Sequence, residues 1–345
     1  MKSTINDVAK LSGVSIKTVS RVMNNEPSVR QLTREKVQAA VKELSYQPNL
    51  AARNLASTKS FTIAYVYDNP NAYYIIDMQE GILSACRQQG FELLINPCDS
   101  QQENITEEIT NTIKQARVAG VVLTPPFSER PEFVKRITEL DIKVVRIMSG
   151  DVAPDELSPC VMVNDRDAAQ TITQHLIDLG HKKIAFIAGG AEHMSTIERY
   201  KGYRRALKAN DIEFTKNLVV EGEYSFESGV NGAKQLMAED ITQNERPTAI
   251  FSCNDEIAAG ALFAARLMNI KIPEQLSIAG FENSPFSRQT WPKLTTANQP
   301  NKKIANDAAS LLISQIRKQK NNNQISQYVP QLVVRDSTGQ PVQVS

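Results

Sequence analysis

Four planar polar side chains carry the chemistry most easily read from this sequence: Arg199, Asn254, Glu282 and Gln299. They fall at or near the ends of short β-rich runs, as do Thr124 and the aromatic residues Tyr73, Tyr74 and Tyr224. Arginine, asparagine, glutamate and glutamine can bond adjacent sugar hydroxyls in pairs, while a tyrosine ring lies on the apolar face of the sugar. That is the chemistry of binding. No constellation for bond-making accompanies it. His175, His181 and His193 are scattered, without the carboxylate spacing of a triad or a metal site. His175 and His181 bracket a helix end, where they are expected to cap carbonyls, and His193 is expected in a loop. Asp255 is expected to cap the helix that follows it. Gly189-Gly190 has neither dinucleotide-fingerprint spacing nor a P-loop lysine. The expectation is a non-enzyme with no cofactor and no metal.

The elements that must position these residues alternate. β-rich runs are expected at 62–67, 92–96, 120–123 and 143–147, with helices at 74–89, 105–116 and 131–140. The alternation restarts, with helices at 166–179, 198–210, 226–238 and 256–267 and strands at 184–188, 218–221, 248–252 and 277–281. A segment 295–298, a long helix 302–318, a polar loop 320–324 and a strand 328–334 remain. Strands alternating with helices of about 10–15 residues form βαβ units around a parallel sheet. Two similar halves give an α/β body of two doubly wound parallel-sheet lobes, and ligands bind beyond the carboxyl ends of such strands.

The first 60 residues follow another rule. Ile5, Val8 and Ala9 share one apolar helical face, and Val19, Val22 and Met23 share another. Gly13 between them can adopt the positive φ that ends a helix, and Ser15 suits the N-cap of the next. Two helices this short bury their faces by packing together, which is the helix-turn-helix arrangement. The same pattern also fits a helical hairpin at the edge of an ordinary domain. A third helix over 33–44, capped by Thr33, closes a small all-α domain through Val37, Ala40, Val41 and Leu44. A short helical run at about 49–56, with Asn49 as its cap, is too short to be stable alone. This head holds ten Lys/Arg and four Asp/Glu, a charge of roughly +6, whereas the whole chain stands at +1. A basic head suits phosphates, although lysines on a solvated helix have the same composition.

Asp7-Val8-Ala9, Gly13-Val14-Ser15, Thr18-Val19-Ser20-Arg21-Val22, Thr33-Arg34-Glu35-Lys36-Val37 and the spaced set Tyr46, Pro48, Asn49, Ala52, Arg53, Leu55 resemble the headpiece of the LacI/GalR family of bacterial transcription regulators. The body carries matching stretches, among them Glu198-Arg199 with Gly202, Cys253-Asn254-Asp255-Glu256 and Gly280-Phe281-Glu282. The resemblance implies a helix-turn-helix headpiece at 1–57 with a hinge helix at about 49–56. It also implies a periplasmic-binding-protein-like effector domain with an N-terminal lobe at 61–162 and 295–322 and a C-terminal lobe at 163–294 and 323–341. By position, Ile16, Lys17 and Arg21 read bases, while Ser15, Thr18, Ser20 and Asn24 carry short polar groups that bond phosphates. Leu55 is the wedge that paired hinge helices push into the minor groove. Arg199, Asn254, Glu282 and Gln299 become polar effector ligands, and Tyr224 the stacker. Two positions depart from the family pattern: Glu282 replaces an aspartate, and Met148 stands where sugar-binding relatives often have an acid. Arg146, two residues earlier, is expected either to compensate or to pair with an acid and stay out of the site.

The implied protein is a homodimeric repressor of a carbohydrate-utilisation operon, binding a pseudo-palindromic double-stranded operator under control of a small-molecule effector, first of all a sugar. A purine, nucleoside or sugar phosphate is the alternative effector. The rivals are a sugar-binding transport protein, an enzyme on the same scaffold and a ligand-independent DNA protein. The 41% apolar content is that of a globular protein, with no run of the ~18 residues a membrane span needs and no signal segment, so a cytoplasmic location is expected. Cys86, Cys98, Cys160 and Cys253 share no redox or ligand spacing and are expected as buried thiols. Family tetramers add a C-terminal heptad segment, and 336–345 has none, which favours a dimer.

Overall fold

In the computed structural model, residues 3–23, 28–46, 60–69, 71–150, 153, 155–238, 241–242, 245–319 and 326–342 are described. Asn24, Asn49 and Leu55, with the hinge run at 49–56, lie outside them.

Thr4 starts the first helix, α1 (Ile5–Ser12), through a reciprocal cap. Its hydroxyl faces the Asp7 N–H, and the Asp7 carboxylate accepts the Thr4 N–H at 2.8 Å. Gly13, at φ 67°, ends the helix as its spacing requires. Ser15 Oγ then accepts the Thr18 N–H at 3.2 Å and opens α2 (Ile16–Met23). The third helix, α3 (Gln31–Glu43), begins two residues before the expected Thr33 cap. The Thr33 and Arg34 N–H groups both bond Arg30 O, and Gln31 bonds Glu35 one turn on at 2.9 Å, so the helical turn extends upstream. Val8, Val19, Val22 and Val37 are buried together between the three helices.

The first lobe is a parallel sheet of β1 (Thr62–Tyr67), β2 (Glu92–Pro97), β3 (Gly120–Leu123), β4 (Lys143–Ser149), β5 (Cys160–Val163) and the late strand β11 (Ser326–Tyr328), in the order β11-β5-β4-β3-β1-β2. Helix α4 (Ala72–Gln89) and the C-terminal helix α12 (Asn301–Ile316) cover one face, burying Met78, Ile82, Ala305 and Leu312. Helices α5 (Ile105–Gln115) and α6 (Pro131–Thr138) cover the other with Ile109, Ile113 and Val134. In the second lobe β6 (Ile184–Ile187), β7 (Val219–Val220), β8 (Ala249–Ser252) and β9 (Ser277–Ala279) are parallel in the order β7-β6-β8-β9. Helices α7 (Asp165–Asp178), α8 (Met194–Ala209), α9 (Phe226–Leu236) and α10 (Asp255–Leu267) pack around them, and a single turn, α11 (Phe286–Gln289), follows.

Two findings move the expected lobe crossings. β5 had no sequence expectation, because it follows β4 without the helix of a βαβ unit between them. The run expected as one strand at 328–334 is two: β11 joins the first sheet, and β12 (Gln331–Val333) pairs antiparallel with β10 (Thr296–Asn298). Pro330 lies between them without an N–H to continue a ladder. Thr295 and Asn298 bridge to Ala279 and Glu282, so 295–298 go with the second lobe and 326–328 with the first.

Candidate functional site

On α2 the expected DNA-facing side chains separate cleanly from the packing ones. Val19 and Val22 are buried, Ser15, Ile16, Lys17 and Arg21 are exposed, and Thr18 and Ser20 are half-buried. Ile16 keeps 49% of its surface in solvent, high for an isoleucine. An exposed helix face carrying Lys, Arg, short hydroxyls and one apolar contact has the composition of a major-groove reader.

Between the lobes a cavity of about 50 Å³, room for a few waters, gathers residues from both sheets. From the first lobe, Asn71 follows β1. Its Oδ1 caps α4 by accepting the Tyr73 and Tyr74 N–H groups at 3.1 Å, and its Nδ2 donates across the cleft to Glu282 Oε2 at 2.7 Å. Glu282, just past β9, adopts φ 101°, a left-handed backbone strained for glutamate that aims the carboxyl inward. Burial pushes that carboxyl up to about 8, with Arg199 pulling the other way, so it is mostly protonated at neutral pH.

Arg199 projects from α8 and is fully engaged. Nε donates to Asp165 Oδ1 at 2.8 Å and Nη1 to the Cys253 carbonyl at 2.7 Å, while Nη2 is 3.5 Å from Gln299 Oε1. Nη1 is also 3.8 Å from Glu282 Oε1, and the guanidinium carbon lies 3.8 Å from the Phe281 ring centroid. Burial works against its charge, and Asp165, Tyr224, Cys253 and Glu282 outweigh burial, so the guanidinium stays charged. Asp165 also accepts from Ser149 Oγ at 2.5 Å. Tyr224 lies directly on Gly189, where a Cβ would come 2.6 Å from the ring, and its hydroxyl meets Ser195 and Thr196 at 3.0 and 2.9 Å. Gln299 donates to Asn301 Oδ1 at 2.8 Å and faces the cavity.

Of the expected effector ligands, Tyr74, Arg199, Tyr224, Glu282 and Gln299 line the cavity, while Tyr73, Thr124 and Asn254 do not. Tyr73 packs edge-on against Phe286 at 5.5 Å. Thr124 is fully buried beside the Tyr65 hydroxyl. Asn254 serves as the N-cap of α10, its Oδ1 accepting the Ile257 N–H at 2.9 Å. It thereby takes the role expected of Asp255, whose carboxylate instead accepts from the Ser284 N–H at 2.7 Å and the Thr296 hydroxyl at 2.6 Å. Burial pushes Asp255 up to about 7.

Two of the histidines, His175 and His181, also differ from expectation. His175 bonds Thr338, and His181 bonds Thr248, Ser277 and the Gly339 carbonyl, so both tie the C-terminal segment to the second lobe instead of capping a helix. His193 lies at the entry to α8 with its ring edge-on to Tyr224 and lines the cavity. Arg146 pairs with Asp155 in a two-pronged bridge at 3.1 and 2.5 Å and bonds Ser158, outside the cavity lining. Met148 lines the cavity, its sulfur 3.7 Å from the Cys160 thiol. The four cysteines are free thiols, and Cys98 is only half-buried. Among the described residues no cluster of His, Cys, Asp or Glu could hold a metal, and no helix is long and apolar enough to cross a membrane.

Ser149, Asp165 and Ser195 line the cavity without having been singled out in the sequence, and Asn71 and His193, neither of them expected as a ligand, line it as well. Asn71 carried a signal, as a cap-type residue just after the first strand. Asp165 carried none, because the strand it follows, β5, has no sequence signature of its own.

Residues 4–49 match the pattern of bacterial regulatory proteins of the lacI family, and residues 173–338 match a periplasmic binding protein-like domain. Catabolite control protein A of Priestia megaterium is 31% identical over 339 residues, 98% of this chain and 100% of that protein. The chain belongs to the LacI family. Among solved structures, a lac repressor dimer bound to operator and the anti-inducer ONPF superimposes with a TM-score of 0.74 at 25% identity, covering 98% of this chain and 100% of that one. A complex of the transcriptional regulator CelR with cellobiose gives 0.71 at 28% identity over 97% of this chain and 100% of that one. The fold is therefore the LacI-type one, a helix-turn-helix head on a two-lobed parallel-sheet body, and the protein is a DNA-binding transcriptional regulator. Its relatives are regulators, not enzymes.

Proposed function

We propose that this LacI-family regulator is a cytoplasmic homodimeric repressor of a carbohydrate-utilisation operon, released from or fixed to its operator by a sugar held between the lobes. The observation that carries the reading is the convergence of Asn71 and Ser149 from the first lobe, and Asp165, Arg199, Tyr224 and Glu282 from the second, on one cavity. Paired planar donors and acceptors around a tyrosine ring suit adjacent hydroxyls on a flat sugar. The sugar bound by CelR in its complex points the same way.

On the DNA side, α2 lies in the major groove, with Arg21 forking onto a guanine, Lys17 reaching the same kind of acceptor and Ile16 meeting a thymine methyl. Ser15, Thr18, Ser20, Asn24 and Asn49 hold the backbone, and Leu55 of each subunit enters the minor groove between two half-sites. On the effector side, hydrogen bonds span the cleft, among them Asn71 to Glu282 at 2.7 Å, Ser149 Oγ to Asp165 at 2.5 Å and the Met194 N–H to Glu129 Oε2 at 3.2 Å. A sugar needs more room than about 50 Å³. The lobes therefore part to admit it and close again on its hydroxyls in place of the Asn71–Glu282 bond. Different affinities of the sugar for the two lobe arrangements shift the hinge and hence the operator affinity, each 1.4 kcal/mol of coupling being about tenfold.

The test pairs a gel-shift on DNA upstream of the chain's own gene with a thermal-shift panel of sugars. Binding to that DNA that changes with a sugar which also raises the melting temperature, both responses lost in Arg199→Ala, is the expected result. Binding indifferent to every sugar would overturn the reading.

A further inference from the structure

Two carboxyl groups bond across the contact between the lobes, one from each side. Glu129 ends a helical turn, Phe127–Glu129, that follows β3 in the first lobe. Its Oε2 accepts the N–H of Met194, the first residue of α8 in the second lobe, at 3.2 Å, while its Oε1 is buried without a hydrogen-bond partner. Glu282 belongs to the second lobe, and its Oε2 accepts from Asn71 of the first at 2.7 Å. The nearby arginines are committed elsewhere. Arg199 bonds Asp165 at 2.8 Å and stands 3.8 Å from Glu282, and Arg130, next to Glu129, turns to the Ser100 carbonyl at 3.0 Å. Asp165 opposes ionisation of both carboxyls, and Asp255 opposes that of Glu282 from behind. Tyr74 on α4 faces the same acids and is held in its neutral form, chiefly by burial. His193, 3.1 Å from Glu192, is kept by burial below the ordinary imidazole value, so it supplies no positive charge near neutrality.

An ionised carboxylate with a buried, unpartnered oxygen is costly, and a protonated one much less so. Burial accordingly raises Glu282 to about 8 and Glu129 to about 7, each from an ordinary 4.5. Both are bonded to the opposite lobe, so parting the lobes removes that partner and lets water reach the group. The carboxyl then falls back toward its ordinary value and releases its proton. Asp255, also at about 7, is bonded to Ser284 and Thr296 within its own lobe and keeps its surroundings when the lobes part. We propose that lobe closure takes up protons through Glu129 and Glu282, which makes pH an input to the lobe equilibrium beside the effector. Between the ordinary and the raised values the parted form has released protons that the closed form keeps. Closure therefore weakens as pH rises through that window, by up to about tenfold per pH unit for each carboxyl. The proposal rests on the parting of the lobes described above and on no particular effector.

The experiment is small-angle X-ray scattering of the full chain, without DNA or sugar, from about pH 5.5 to about pH 9 at fixed ionic strength. The distance distribution reads how far the lobes have parted. Closed lobes at the acid end and parted lobes at the alkaline end are expected, the closed-to-parted ratio falling by about 100-fold or more across the range. Glu129→Gln and Glu282→Gln each keep an acceptor oxygen in place with no proton to lose. The double variant should hold the closed distribution at every pH. Each single variant should reduce the total change about tenfold or more, so either serves if the double variant fails to fold. All variants carry the same basic head, so any response of the head to pH is common to them. A wild-type distribution constant over the range, or a folded variant that parts along the wild-type curve, would overturn the proposal. With no sugar in the sample, that outcome leaves the sugar reading standing, and a failed sugar panel leaves this result untouched.

Discussion

On α2, Ile16, Lys17 and Arg21 stand in solvent while their neighbours Val19 and Val22 are buried, so function and stability occupy opposite faces of one helix. In the cleft the same side chains serve both ends. Arg199 is the candidate effector ligand and also the partner of a buried carboxylate at 2.8 Å, and Asn71 caps α4 with one atom while spanning the lobes with another. Head residues can therefore be changed for specificity at little cost to folding. Cleft residues cannot be changed without disturbing the lobes they join.

The largest effect expected from that contrast is in Arg199→Ala. It strands Asp165 in a site where both side chains are 3% exposed, and breaking a buried pair costs about 3–5 kcal/mol. Urea unfolding should show that loss, and stability within 0.5 kcal/mol of wild type would break the comparison. Arg21→Ala should do the reverse. Operator affinity falls by about 1–3 kcal/mol, as for a lost two-pronged base contact, while the unfolding midpoint barely moves. A midpoint that moves as much as the affinity would show Arg21 to be structural.

A pH series sharpens the cleft side. The folded Glu282 carboxyl lies at about 8, raised from 4.5 chiefly by burial. Between those values the unfolded chain has released a proton that the folded chain keeps, so stability falls as pH rises through that window. One proton contributes a slope of up to about 1.4 kcal/mol per pH unit. Glu129 and Asp255, both at about 7, act with the same sign over a narrower range. Glu282→Gln should flatten the decline, and an unchanged slope would show that Glu282 does not titrate in this way. Thr4→Ala, which removes the reciprocal cap of α1, should cost about 1 kcal/mol, read as a lower melting point of the head alone with effector response intact. The smallest effect is expected for Arg146→Met. An apolar side chain of similar length replaces a buried arginine whose partner Asp155 can turn to water, leaving effector binding unchanged. A changed effector affinity in that variant would bring Arg146 back into the site.

Much of the head was legible because its information is local. Gly13 between two apolar faces predicts a turn at that residue, and the structure has φ 67° there. The body's alternation was legible for the same reason, through runs such as 120–123 and the glycine-ended helix before Gly90. Short or interrupted elements were not. β5 follows β4 with no helix between them to mark a βα unit, and the C-terminal run was divided between two sheets at Pro330. Chemistry at strand ends was visible only as a set of candidates. Nothing near Asn254 distinguishes a ligand from a cap, and the neighbouring Asp255 is an equally good cap by type.

Helical faces, strand runs, turn residues and the basic head follow from contacts between residues a few positions apart, and those the sequence determined unaided. Which strand-end side chains meet was decided only when the lobes came together. Asn71 and Glu282 lie 211 residues apart in the chain and 2.7 Å apart across the cleft. Their pairing, the raised pKa of Glu282 and the neutralisation of Arg199 by Asp165 depend on burial and on the crossing of the chain between sheets. Periodicity and propensity are short-range quantities and carry no record of either.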